Sequence, residues 1–434
     1  MSETNPATGA EHSSRQSPVV LKASDFVTTD SALEIAEFVE RSPTDMTADE
    51  QQTYEPNEND PIGNVPRFPN PLRHPLLATG WVIRTLFGIL TLILLLAVAA
   101  AIPIINFFVL GYLLEVEGRV ARSGQLRRGF VLLDRAPQIG TIVIGMGFWL
   151  LVIMLISGAA SDAALIDPSG ESAVFLRGFR AVTGALIVIH LCLAVARGGG
   201  LGCFFRPIKN IRAFMGRMRG NPTWQQAGRR VGEFFAGFRL KHHFSLGIRG
   251  FVGGLAWLVL PTALFAAADR SEGPAMLITV LGGLLLIPVL SWVPFLQARF
   301  AAENRLRSMF ELRATRELFT HAPLAWLIAL VVIYVLSLPM YLLTVVLPPR
   351  DAMWLVTLVF LVSIYPARVV TGWAYHRAVR RPEPAGRIMR WISRSLIAPL
   401  LGLYVFLLYF TQFIGAHGKG VLFEHHALLL PVPF

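Results

Sequence analysis

Charge is scarce in this chain. Only 15% of its 434 residues are Asp, Glu, Lys or Arg, against roughly 25% in a soluble globular protein. Cysteine is nearly absent. Cys192 lies in an apolar run and Cys203 just after it, so neither a disulfide framework nor a CxxC metal pair is available. The first 70 residues lack an apolar h-region. No cleavable signal peptide is therefore expected, and insertion is expected to begin at the first internal apolar segment. Catalytic constellations are missing as well. There is no HExxH pair, no Ser/His/Asp set, no GxSxG elbow and no nucleophile–base pair. The cluster Gly198-Gly199-Gly200-Leu201-Gly202 lacks the preceding strand and following Lys-Ser/Thr of a phosphate loop, and reads as a flexible break. The chain is expected to be no enzyme and to use no cofactor.

What the sequence does have is hydrophobicity, at 54% of residues, gathered in long runs. A helix of ~20 apolar residues crosses a hydrocarbon core of ~30 Å. Apolar segments lie at about 85–114, 139–160, 178–197, 250–268, 274–297, 323–348, 352–375 and 395–416. These imply an all-α, multi-spanning membrane protein with interfacial amphipathic helices on the cytoplasmic side. Residues 79–418 form the polytopic domain and 419–434 a short C-terminal tail. Residues 1–78 are rich in Ser, Thr, Pro and acids; residues 1–80 hold 5 Lys/Arg against 13 Asp/Glu. That stretch cannot bury enough apolar area to order itself, so a disordered acidic cytoplasmic tail is expected. Within it, residues 32–40 set Leu33, Ile35, Phe38 and Val39 among regularly spaced acids. They are a candidate docking segment for a cytoplasmic protein, or more simply a transient helical turn.

Thr85 to Leu114 is uncharged over 30 residues but interrupted by Pro103 and Asn106. One reading is a span to Ile105 followed by an interfacial helix Phe107–Arg119. The other is a re-entrant hairpin. The connectors decide sidedness. Four of them, 116–138, 197–249, 297–321 and 368–394, carry 28 Lys/Arg, while the four alternating with them carry 5. Positive charge stays inside, so the basic set is cytoplasmic and the C-terminus lies outside. The hairpin keeps both the acidic tail and 116–138 inside without a signal sequence. It is preferred, giving seven full spans, with eight spans as the alternative. The implied location is a bacterial cytoplasmic membrane. Because the basic residues sit between apolar runs, anionic lipid headgroups explain them better than nucleic acid does.

The basic loops are patterned. In Arg206–Arg219, Ile208, Ile211, Met215 and Met218 share a face, with Lys209, Arg212 and Arg219 on the other side, which is the signature of an interfacial helix. Val231, Phe234, Phe235 and Phe238 repeat it. Candidate anionic-lipid contacts are Arg206, Lys209, Arg212, Arg217, Arg219, Arg229, Arg230 and Lys241. Residues 297–319 suggest a helix with Arg299, Glu303 and Arg307 pairing at i, i+4. His190, inside an apolar run, is the candidate buried polar site; the plainer reading is a neutral histidine bonded to a neighbouring helix. No metal site is expected, because His242-His243 and His425-His426 lack ligand spacing. Arg368, just past an apolar run, reads as a snorkelling residue. Gly140, Gly145, Gly147 and Gly282-Gly283 suggest close helix packing. The leading function is a non-enzymatic protein that organises lipid or partners at the cytoplasmic face. The alternative is a transporter or permease, suggested by Gly/Pro-broken helices and His190.

Two stretches carry a resemblance. Pro103 to Leu114, with its Ile-x-Asn-Phe turn and the Gly111-Tyr112 pair, resembles the opening of a family of uncharacterised bacterial polytopic membrane proteins classed as a domain of unknown function. Pro294 to Asn304, continuing to Phe310-Glu311-Leu312-Arg313, resembles that family's central cytoplasmic helix. The resemblance spans roughly residues 80–415. It implies a cytoplasmic start and favours the hairpin, but brings no activity, cofactor or site residue.

Overall fold

A computed structural model describes residues 68–218, 232, 236–266, 274–345, 349, 353–414 and 418–423. The segment 32–40, Arg219, Arg229, Arg230 and most of the second amphipathic stretch lie outside these. The helices are α1 Pro75–Ala100, α2 Asn106–Ser123, α3 Ala136–Ile166, α4 Glu171–Ala196, α5 Leu201–Phe204, α6 Pro207–Met218, α7 Leu240–Phe265, α8 Pro274–Glu303, α9 Leu312–His321, α10 Pro323–Val345, α11 Met353–Val379 and α12 Arg387–Ile414. Among the described residues the only other regular elements are 3-10 turns, so the all-α class holds. Eight helices, α1, α3, α4, α7, α8, α10, α11 and α12, are long and apolar enough to cross a membrane.

Burial sorts these eight. α11 is the most buried and α3 the least. Along α3, Val143, Leu150, Met154 and Leu155 are all exposed, as expected of a helix that is apolar on every side and faces lipid. The main core instead joins α2, α8, α10, α11 and α12 around Tyr112, Phe295, Trp326, Tyr334 and Phe360. Trp326 stacks on Phe295. Tyr334 donates to the Leu290 carbonyl at 2.5 Å, which fills a carbonyl near Pro294, a residue unable to donate back to it.

The buried helix the sequence did not announce is α2. Val109 to Gly118 are all buried, so the interfacial helix over 107–119 that went with the full-span alternative is instead an interior one. Backbone contact explains this. Gly111 lies directly against the His243 carbonyl and Gly247 of α7, and Gly247 against the Phe107 carbonyl. Further along, Gly118 meets the Ala301 carbonyl of α8, and Gly372 of α11 meets the Glu117 carbonyl. Small residues on each side let three helices close on α2. The Tyr112 hydroxyl then donates to the Val131 carbonyl at 2.6 Å, and Tyr365 to Gly129 at 2.8 Å. These bonds tie the 3-10 turn Leu126–Gly129 over the same end of the bundle.

The contacts also set levels along the helices. Phe107 packs on Phe251, Gly111 on His243 and Gly247, and Glu115 reaches His242. α2 therefore runs antiparallel to the first half of α7 and starts near that helix's middle. α1 runs beside the start of α3, with Gly88 against Leu133 and Pro137, and Gly140 against Phe87 and Thr91. Between α1 and α2, Ile104 turns the chain at φ 72°, a left-handed conformation that costs a β-branched residue energy. Of the glycines expected to mediate packing, Gly140, Gly145, Gly282 and Gly283 do so, whereas Gly147 faces open space.

Candidate functional site: a polar, basic end of the bundle

α2 leaves the apolar bundle as it becomes charged, and the acids on it organise the basic end. Glu115 accepts from Arg119 Nε at 2.8 Å and lies 3.6 Å from Arg122. His242 Nε2 donates to its other oxygen at 3.2 Å. Burial alone would push the Glu115 carboxyl up. The His242 bond and the two guanidinium groups outweigh it and hold the carboxyl at about 2. Arg122 also donates to the Ala301 and Ala302 carbonyls at 2.9 and 3.2 Å, capping the end of α8. His243 is buried, against the rings of Phe108 and Tyr112.

Two residues further along α2, Arg368 Nη1 donates to Glu117 Oε2 at 2.9 Å and to Gln297 Oε1 at 2.8 Å. Arg368 is 3% exposed and Glu117 fully enclosed. The snorkelling reading of Arg368 is therefore wrong. Its side chain cannot reach the interface because α2 is wedged between α8 and α11, and it meets a carboxylate there instead. Three helices are joined through this one charged group. Around the α8 terminus, Arg299 bridges Glu303 at 2.8 Å and Glu311 at 2.5 Å. The sequence expected a continuous helix here with Glu303 paired to Arg307. α8 instead stops at Glu303 and Asn304 turns at φ 55°. Glu303 then takes Arg305 at 2.7 Å and Ser308 at 2.6 Å, while Arg307 faces Glu311 at 3.8 Å.

The predicted amphipathic segment forms α6. Ile208, Ile211 and Met215 are exposed on it, as are Lys209 and Arg212, with Arg206 just ahead of it. Arg217 belongs to the helix, but its side chain is outside the described set. Lys241 is exposed at the start of α7, on a separate element. α6 is fixed to the bundle by the predicted buried histidine. His190 Nε2 donates to the Phe204 carbonyl at 2.8 Å, and its Nδ1 accepts from Asn210 at 3.3 Å. Such a pattern takes the neutral tautomer. Trp149 Nε1 donates to the same carbonyl at 2.9 Å. Asn210 also donates to the Cys203 carbonyl at 2.8 Å and accepts from Arg197. Gly198 and Gly199, both at positive φ, let the chain reverse between α4 and α5 where a side chain would be strained.

Among the described residues no group of three or more His, Cys, Asp or Glu is placed to hold a metal. The site the sequence missed is Glu117–Arg368–Gln297. Its signal was two charges bordering apolar runs 251 residues apart, and only packing pairs them.

Residues 230–348 match the model of a family described as a protein of unknown function, DUF4013. The match takes in α7, α8, α9 and α10, and with them the stretch Pro294 to Arg313; Pro103 to Leu114 lies outside it. No curated protein and no solved structure matches the chain.

Proposed function

We propose that this multi-pass protein acts without catalysis, in a bacterial cytoplasmic membrane, as a scaffold whose cytoplasmic end engages anionic lipid. The observation that carries the reading is α6. It presents exposed Ile208, Ile211 and Met215 beside exposed Lys209 and Arg212, while buried Asn210 and His190 pin its other side to the bundle. A helix so held lies in the interface, with apolar side chains in the acyl boundary and cations at lipid phosphates. The disposition of α1 and α2 supports the companion reading, a re-entrant hairpin. α2 pairs only with the first half of α7, and the charged end of α2 returns to the basic side, so the tip at Ala101–Ile105 reaches about mid-bilayer.

A fluorophore at Met215→Cys, in a background lacking Cys192 and Cys203, tests the reading in nanodiscs. Emission is expected to shift blue when phosphatidylglycerol replaces phosphatidylcholine, and the shift is expected to vanish in Lys209→Glu/Arg212→Glu. Equal emission in the two lipids would count against an anionic-lipid role for α6.

The transporter reading has one observation on its side, the buried Glu117–Arg368 pair, since intramembrane ionisable groups often mark ion or substrate paths. Here the two are bonded to each other and Arg368 is bonded to Gln297 as well, an arrangement that supports a structural tie more than an open path.

A further inference from the structure

Two cavities adjoin where α10, α11 and α12 reach the basic end. The first, about 580 Å³, is lined by His376, Arg377, Arg380 and Arg381 with Trp373 and Gly124. The second, about 420 Å³, is lined by Leu324, Ala325 and Ile328 of α10 and Met389 of α12. Trp373, Arg377 and Arg381 line both. Trp373 and Arg377 sit one turn apart on one face of α11, and Arg381 follows just past its end, so this stretch is the wall between a cationic cleft and an apolar groove.

We propose that this double cavity is a binding site for an anionic glycerophospholipid of the inner leaflet. The phosphate would sit among Arg377, Arg380 and Arg381, and an acyl chain in the groove. Three observations support that occupant. The three guanidinium groups are exposed, and among the described residues none is ion-paired. The nearest acid in sequence is exposed Glu383. Arg377 lies over the Trp373 ring, 5.6 Å from its centre, which orients the planar group for a phosphate oxygen. The groove continues into Leu324, Ile328, Val331, Val335 and Leu338, all exposed and all on one stripe of α10 that runs into the hydrocarbon. A free phosphate would use only the first cavity and a neutral lipid only the second. A basic pocket between helix ends on the cytoplasmic side suits an anionic lipid.

This site shares no residue with α6 and stands apart from the role proposed for that helix. Native mass spectrometry of the full chain released from detergent tests it, with phosphatidylglycerol, phosphatidylcholine or glycerol phosphate added. Wild type is expected to retain phosphatidylglycerol at collision energies that strip phosphatidylcholine. Arg377→Gln/Arg381→Gln is expected to lose that preference with an unchanged melting temperature. Ile328→Trp, which fills the groove and leaves every arginine, is expected to lose it too. Glycerol phosphate is expected to compete weakly. Preference retained in both variants would overturn the proposal. So would glycerol phosphate displacing the lipid while Ile328→Trp binds normally, which would mark a free-phosphate site. Lys209→Glu/Arg212→Glu separates the two roles. Preference lost only in that variant would leave α6 standing and remove this site; preference lost only in the arginine and tryptophan variants would do the reverse.

Discussion

Arg368→Ala is expected to unfold at a markedly lower temperature than wild type, and Glu117→Ala to do the same. Glu117→Ala leaves Arg368 charged and enclosed, with Gln297 as its remaining neighbour, and Arg368→Ala strips the cation from an enclosed carboxyl that burial already pushes up to about 7. Removing one member of a buried ion pair costs about 3–5 kcal/mol, because the other charge keeps its desolvation penalty. The pair itself contributes far less. Glu117→Gln/Arg368→Met, which removes both charges at similar volume, is expected to recover most of the loss, since such replacements are often neutral. Scanning fluorimetry in detergent, with size-exclusion profiles before and after heating, reads all four. If Arg368→Ala melted with wild type, the pair would not be the tie between α2, α8 and α11 described above.

Gly111→Val and Gly247→Val are expected to abolish the folded, monodisperse protein. An added side chain in a packed core usually costs about 1–3 kcal/mol, because neighbours shift to admit it. Here the space is held by backbone: the His243 carbonyl faces Gly111 and the Phe107 carbonyl faces Gly247. Neither can move without separating α2 from α7. The valines would also break the level relation that brings Glu115 to His242. Gly147→Ala is the control. It faces open space, and alanine favours a helix by roughly 0.5–1 kcal/mol over glycine, so stability should hold or rise. Comparable yields of folded Gly111→Val and Gly147→Ala would contradict the seam.

Much of the fold was written in single-residue chemistry. Uncharged runs mark the eight helices long and apolar enough to span, and arginine-rich connectors give the expected sides. Ile208, Ile211 and Met215 gave α6, because a solvent- and lipid-facing stripe is a local property. α2 escaped for the opposite reason. Its amphipathic pattern is that of an interfacial helix, and nothing local says that Gly111 and Gly118 will meet carbonyls of α7 and α8. Arg368 escaped with it. A lone arginine near a helix end reads as snorkelling until a carboxylate 251 positions earlier is packed against it. Glu303 shows the same limit on a smaller scale. Spacing alone pairs it with Arg307, but the break at Asn304 turns it to Arg305 and Ser308. His190 was legible as buried and hydrogen-bonded, but its partners Phe204 and Asn210 depended on how the glycine cluster reverses the chain.

The proposed dip of α1 and α2 into the membrane and back underlies both the proposed sidedness and the proposed lipid contacts, and reporter fusions at residues 20, 125, 167 and 425 probe it most directly. A hairpin puts 20 and 125 together in the cytoplasm, with 167 and 425 outside. Finding 20 outside while 125 stays inside would make α1 a full crossing. Finding 125 outside would turn the basic end, with α6 and the arginine cleft, away from the inner leaflet.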